Sequence, residues 1–155
     1  MVYRTRGDGR FDDVSDRLGP PVTTPRASRG AAFADFDNDG DVDVVVTNMH
    51  DVPELLRLDR TAPGRWLGLR LRGVQSNRSA IGARVRITAG GVTQVAEVRG
   101  GGSYFSQNDL RIHVGLASAT TVERVVVRWP NGREETWRDL EANRIVTLTE
   151  GTAPR

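Results

Sequence analysis

The sequence predicts an all-β protein in which an antiparallel β-sandwich follows a smaller β region that carries an acidic loop. Three observations support this prediction. Short segments of alternating apolar and polar residues recur through the chain at roughly 8–12-residue spacing. Patterns with the helical period are scarce. Glycine is abundant, with 17 residues among 155, as expected for a chain with many tight turns.

The C-terminal part contains the clearest strand patterns. In Leu110–Leu116, four apolar residues share one face while Arg111 and His113 share the other. The turn Pro130-Asn131-Gly132 joins two strands as a hairpin, and Gly90-Gly91 marks a second turn. The predicted strands of this part are Leu67–Val74, Ala83–Ile87, the segment from Gly91 to Val98, Leu110–Leu116, Glu123–Trp129, the REETW segment after Gly132, and Ala142–Glu150.

The first third of the chain has a different pattern, with short strands between acidic and glycine-rich turns. The form DGxxD occurs twice, at Asp8–Asp12 and at Asp39–Asp43, which suggests one repeat and part of another. The TAPGR segment interrupts the pattern, so we place a domain boundary near Thr61–Arg65 and predict domains at 1–62 and 63–151. So short a first domain leaves strand edges unpaired, which predicts either a homodimer or docking of this segment onto the sandwich.

The loop DFDNDGDVD, residues 35–43, predicts a calcium site. Hard cations prefer six to eight oxygen ligands, and alternate side chains of a tight loop point inward. Ligands would then come from the carboxylates of Asp35, Asp37 and Asp39, with Gly40 at the sharp turn, the Asp41 carbonyl next and Asp43 closing the site. The side chains of Asn38 and Asp41 are out of phase and are expected to face solvent.

Two other interpretations of the loop are an EF-hand and a solvated acidic turn. An EF-hand requires a bidentate Glu at the twelfth position of the loop, where this chain has Val46, so that class is excluded. A solvated acidic turn without a cation remains open.

Composition excludes several classes of protein. The chain has no cysteine, so disulfides and thiolate metal sites are excluded. All 22 basic residues are arginines, but they are spread along the strands and the net charge is only +2, so we expect no nucleic-acid partner. No segment approaches the roughly 18 apolar residues of a membrane span. Residues 1–20 contain no apolar leader, and the compartment cannot be read from the sequence.

Catalysis is not predicted. His50 and His113 have no evident nucleophile partner, and the chain has no GxSxG motif. The glycine-rich segment Arg99–Asp109 lacks the Lys and Ser/Thr of a phosphate-binding loop. This segment is either a tight turn with a bulge or a loop that binds a ligand or partner, and its candidate binding residues are Ser103, Tyr104, Gln107 and Asn108.

Motifs in both parts resemble known families. The form DxDxDGxxD before a valine-rich strand resembles the calcium loop of FG-GAP/VCBS repeats, the blades of integrin-type β-propellers. From Trp66 onward, SNRSAIGARVRITAGG, VRGGGSYFSQNDLRIHVGL and VRWPNGREETW resemble the ASPIC/UnbV domain, which is also found in a bacterial protein of enediyne biosynthesis clusters. The chain departs from the second pattern at Gly102 and Leu110.

The resemblance implies a propeller-blade fragment with a Ca²⁺ site, followed by the sandwich. It also implies a noncatalytic interaction or adhesion module from the C-terminal part of a larger, extracytoplasmic or secreted propeller protein. A protein or glycan partner is expected. The alternative is a small-molecule or glycan handler of enediyne-type natural-product biosynthesis, with the Arg99–Asp109 loop lining its site.

Overall fold

A computed structural model describes residues 1–59 and 64–154, and it confirms the all-β fold. The described residues form twelve strands, one 3₁₀ turn at Ser15–Leu18 and one short helix at Pro20–Thr23. The strands are β1 (Tyr3–Thr5), β2 (Phe11–Asp13), β3 (Ser28–Ala34), β4 (Asp43–Asn48), β5 (Glu54–Leu56), β6 (Arg65–Arg72), β7 (Arg84–Ala89), β8 (Val92–Glu97), β9 (Ile112–Ala117), β10 (Thr121–Arg128), β11 (Glu134–Glu141) and β12 (Arg144–Thr149).

Strands β6–β12 form the predicted sandwich, from two sheets with the orders β11-β10-β7-β8 and β12-β6-β9. Apolar side chains of both sheets meet in one core, because alternation along each strand directs one set of residues inward. Leu67 and Leu69 of β6 belong to the same core cluster as Val85 and Ile87 of β7, and all four are fully buried. Each predicted strand of this part is found, with ends shifted by a few residues.

One strand pairing differs from the predicted antiparallel arrangement, because β12 runs parallel to β6. The reason lies in the connection. Strand β11 belongs to the four-stranded sheet and β12 to the other, so the chain crosses between sheets after Glu141 instead of turning back in a hairpin. Such a crossing does not impose the antiparallel direction that a tight hairpin imposes.

The N-terminal region contains the hairpin β1–β2 and a separate antiparallel sheet of order β3-β4-β5. We call the sheet β3-β4-β5, with its connecting loops, the blade. The two DGxxD sequences occupy equivalent places, because Asp8-Gly9 lies in the turn between β1 and β2 and Asp39-Gly40 in the turn between β3 and β4. Both glycines have positive φ angles, +83° and +95°, which side chains other than glycine rarely adopt.

The blade docks onto the sandwich of the same chain, the second of the two predicted outcomes. Along the edge of β3, the Phe33 amide donates to Asn108 Oδ1 at 3.1 Å and the Asp109 amide donates to the Phe33 carbonyl at 2.9 Å. The homodimer stays a prediction. The boundary placed near Thr61–Arg65 begins outside the described residues, and Arg65 itself starts β6. Among the described residues, no helix is long and apolar enough to cross a bilayer.

Candidate metal centre

The acidic loop connects β3 to β4 at the end of the blade that contacts the sandwich. Ala34 pairs with Asp43 as the last rung of this hairpin, so residues 35–42 form the turn. Positive φ angles at Asn38 (+63°) and Gly40 (+95°) fold the turn back on itself. The carboxylates that follow β3 therefore point toward a common centre.

Three of the predicted ligands converge. One carboxylate oxygen each from Asp35, Asp37 and Asp39 lies within 4.8 Å of the other two. Two oxygens bound to a single calcium ion at roughly 2.3–2.6 Å are separated by at most about 5 Å. The observed spacing is therefore compatible with one shared cation, while three like charges so close together repel each other without one.

Asp35 supplies the strongest test of whether a cation fits. Its side chain is buried, and Oδ2 accepts a hydrogen bond from the Gly40 amide at 3.1 Å. The other oxygen, Oδ1, is buried and has no hydrogen-bond partner among the residues that the structure describes. A buried, unsatisfied carboxylate oxygen is strongly unfavourable. A calcium ion at this position would satisfy it, so the residues present fit the implied metal.

The structure does not bring Asp43 into this group of three. Asp43 is buried, and its two oxygens accept hydrogen bonds from the amides of Phe36 (3.2 Å) and Leu58 (2.8 Å). It therefore ties the acidic loop to the segment after β5. Each carboxylate oxygen keeps a second lone pair, so these bonds leave acceptor capacity on the side chain.

The expectation that the Asp41 side chain faces solvent is wrong. Asp41 is only 5% exposed, whereas Asn38 is exposed as predicted. Alternation along the loop predicts exposure of this side chain only for an isolated turn on the surface. In the structure, Trp66 and His113 of the sandwich lie against Gly40, the residue before Asp41, and the Asp41 side chain is buried beside this contact.

A group of side chains on the sandwich holds the loop in place. Arg111 donates from Nη2 to the Asp35 carbonyl at 2.5 Å and from Nη1 to Asn38 Oδ1 at 2.6 Å, and it forms an ion pair with Asp109. His113 Nε2 lies 2.8 Å from the Gly40 carbonyl, which accepts the hydrogen bond. Arg111, just before β9, and His113 within it thus hold the loop through two backbone carbonyls and the Asn38 side chain, without using the carboxylates of Asp35, Asp37 or Asp39.

Trp66 completes this contact. Its ring stacks on the His113 ring, with centroids 5.8 Å apart and an interplanar angle of 16°. A Cβ atom at Gly40 would lie 2.0 Å from Trp66 Nε1, so only glycine fits there. The sequence placed His113 on the polar face of its strand but gave no sign that the blade covers that face. The sequence signal for this contact was the alternation in Leu110–Leu116, which puts Arg111 and His113 on the same face of the strand.

Arg57 partly neutralises the outer rim of the loop. Its Nε atom lies 3.5 Å from Asp37 Oδ2, and its guanidinium also pairs with Asp59. The hydrogen bond with Asp59 raises the pKa of Arg57, and the charges of Asp37 and Asp39 act in the same direction. Because Arg57 is well exposed, this pairing is a weak one.

The segment Arg99–Asp109 contacts the blade through some of its candidate binding residues. Tyr104 accepts a hydrogen bond from Arg29 at 3.1 Å, and the Arg29 guanidinium lies 5.2 Å from the ring centroid. Asn108 accepts from Phe33, as described above. Gln107 closes the loop on itself by accepting from the Gly101 amide at 2.6 Å. Ser103 forms an isolated β-bridge with Ser106.

Comparison with known proteins confirms both resemblances. A family model described as ASPIC and UnbV matches residues 73–155, and one described as an FG-GAP-like repeat matches residues 1–46. The chain is 34% identical over 87 residues to Cartilage acidic protein 1 of Homo sapiens. That match covers 56% of this chain but 12% of the human protein, so the chain spans a small part of that relative.

Proposed function

Since this chain belongs to the ASPIC and UnbV family, we propose that it is a noncatalytic, calcium-binding module for interaction or adhesion. In this proposal it forms the C-terminal part of a larger extracellular propeller protein. The observation that carries the calcium assignment is the buried oxygen Asp35 Oδ1, which lies beside two converging carboxylates and has no hydrogen-bond partner in the described parts of the chain.

The proposed ligands are the carboxylates of Asp35, Asp37 and Asp39, with the Asp41 carbonyl and a lone pair of Asp43 completing the set. These are hard oxygen donors, which suit calcium. Magnesium demands a smaller octahedral shell and retains several waters, so it should bind poorly among so many carboxylates. When bound, the cation supplies positive charge that offsets the repulsion within the loop.

The contacts of the histidines support a noncatalytic role. His113 is engaged with the Gly40 carbonyl and stacked on Trp66, and His50 lies exposed in the turn after β4. In the Arg99–Asp109 loop, Tyr104 and Asn108 bind the blade of the same chain. These contacts favour a role for that loop in holding the blade against the sandwich over a role as the ligand site of a biosynthetic protein.

Calcium titration of protein stripped with a chelator tests the proposal. Calorimetry should detect one site, and at 100 times the dissociation constant that site should stabilise the folded state by about 2.7 kcal/mol. Asp37→Ala should abolish most of the calcium-dependent rise in melting temperature. Asp16→Ala is the control, because this exposed aspartate of the N-terminal region lies outside the loop.

The absence of heat up to roughly millimolar calcium, the weak end of known protein sites, would contradict the assignment. The acidic loop would then be a solvated turn held by Arg57, Arg111 and the backbone.

A further inference from the structure

A concave surface rich in arginine lies on the outer face of the β12-β6-β9 sheet, beside the docked blade. We call it the arginine pocket. Its cavity measures about 490 Å³, within the range of roughly 300–1,000 Å³ typical of small-molecule sites. Its polar lining residues are Arg70, Arg72, Arg78, Ser79, Arg111, Asp109 and Thr147.

The strand geometry explains why the arginines share one surface. Arg70 and Arg72 alternate with the buried Leu69 and Leu71 along β6, so both side chains leave the same outer face. Thr147 of β12 is the register partner of Arg70 on one side. On the other side, Ile112 of β9 pairs with Leu69, which sets the preceding residue, Arg111, next to Arg70.

The charges in this pocket are not balanced. The lining contains four arginines and one carboxylate, and that carboxylate, Asp109, is paired with Arg111. Among the described residues, no carboxylate lies within ion-pair distance of Arg70, Arg72 or Arg78, although Arg26, Arg57, Arg84 and several other arginines are paired. Like charges on neighbouring positions of a sheet repel each other.

We propose that the arginine pocket binds a ligand carrying sulfate or phosphate esters. The guanidinium group presents a planar fork of donors that matches such oxyanions in a bidentate manner. Two arginines on one strand and a third from the 73–82 loop present these forks to one cavity, and the hydroxyls of Ser79 and Thr147 offer further donors. The volume accommodates a sugar-sized ligand. The pocket shares Arg111 with the contacts that hold the acidic loop, but none of the proposed calcium ligands lines it.

Calorimetric titration with two probes tests this proposal and identifies the ester. Sucrose octasulfate carries sulfate esters on a disaccharide, and fructose 1,6-bisphosphate carries phosphate esters on a monosaccharide. We expect one or both to bind the calcium-loaded protein. Removing two charged donors with the double variant Arg70→Gln/Arg72→Gln should weaken that binding by at least ~10-fold.

The matched control is Arg124→Gln/Arg138→Gln. These two arginines face each other across β10 and β11 on the outer face of the opposite sheet, are exposed, and have no ion-pair partner among the described residues. The control removes the same charge, so a nonspecific electrostatic attraction would weaken equally in both double variants. Arg78→Gln, which lies in a loop, provides a second test if the strand variant unfolds.

Weaker probe binding that is confined to the pocket variants supports the proposed site. Equal losses in the pocket and control variants, or no binding of either probe tighter than ~1 mM to the wild-type chain, would overturn the proposal. Because the readout uses anions and needs no calcium titration, its failure is distinguishable from failure of the calcium assignment.

Discussion

The sandwich and the blade bury different kinds of side chain. Every buried apolar side chain among the described residues belongs to the sandwich, from Trp66 to Leu148. The blade instead buries carboxylates, at Asp35, Asp41 and Asp43, while its large apolar residues such as Phe33 and Leu55 remain about half exposed. Two regions of one all-β chain are thus stabilised by different interactions.

The difference has an energetic consequence. A buried leucine or valine stabilises a fold by roughly 1.5–3 kcal/mol through removal of apolar surface from water. A buried carboxylate destabilises it unless hydrogen bonds or a cation compensate the lost hydration. The sandwich therefore has its own source of stability, whereas the blade depends on amide donors, on the contacts from Arg111, His113 and Trp66, and in our proposal on calcium.

A pair of leucine truncations should give the largest effect and separate the two regions. Leu69→Ala in β6 removes a fully buried side chain and should destabilise the protein by roughly 2–5 kcal/mol. Leu55→Ala in β5 removes the same atoms from a half-exposed position and should change stability by about 0.5 kcal/mol or less. Urea denaturation followed by circular dichroism measures both. Similar losses in the two variants would show that the blade contributes a core of its own.

Substitution of Glu150 should have an intermediate effect on stability. Glu150 tests the comparison between the two regions, because it is a buried carboxylate within the sandwich. Its Oε2 accepts hydrogen bonds from the amides of Val74, Gln75 and Ser76, each at 2.8 Å. Burial alone would raise the pKa of Glu150, but these bonds and one from Asn131 outweigh it and lower the pKa to about 2. Glu150→Gln should therefore destabilise the protein by roughly 1–3 kcal/mol at neutral pH.

The pH dependence follows from the same shift. The ordinary pKa is 4.5, so the unfolded chain takes up the proton before the folded one does. The stabilisation by Glu150 is complete above pH 4.5 and is lost as the pH falls toward 2. The stability difference between wild type and Glu150→Gln should shrink over that interval, and a constant difference would contradict the assignment. The exposed Glu134→Gln serves as control.

Gly40→Ala should have the smallest effect on the sandwich and a clear effect on the blade. The added Cβ would collide with Trp66, so the loop should detach and expose Trp66 to quenching by acrylamide, while Trp129 and Trp137 stay in the core. The free energy of unfolding of the sandwich, measured by urea denaturation, should change by about 0.5 kcal/mol or less. Gly9→Ala carries the same backbone strain, with nothing within 4 Å of its Cβ, and should leave quenching unchanged.

The sequence was informative where physical patterns are local. Alternation in β6, β7, β9 and β10 predicted the strands and the core, and the spacing of the aspartates predicted the convergence of Asp35, Asp37 and Asp39. What it missed depends on contacts between distant segments. The burial of Asp41 and the contacts of Arg111 and His113 with the loop arise because the blade packs against the sandwich. The parallel direction of β12 arises because the chain crosses from one sheet to the other after β11. No local pattern records either of these.

Hydrogen exchange with and without calcium tests the central claim that the blade depends on its polar loop while the sandwich does not. On addition of calcium to chelator-treated protein, amide exchange should slow across the loop and β4, residues 35–48, and remain unchanged in the core strands β6, β7 and β10. Asp37→Ala should remove this response. Exchange that calcium leaves unchanged in residues 35–48, or slows equally in both regions, would contradict the account.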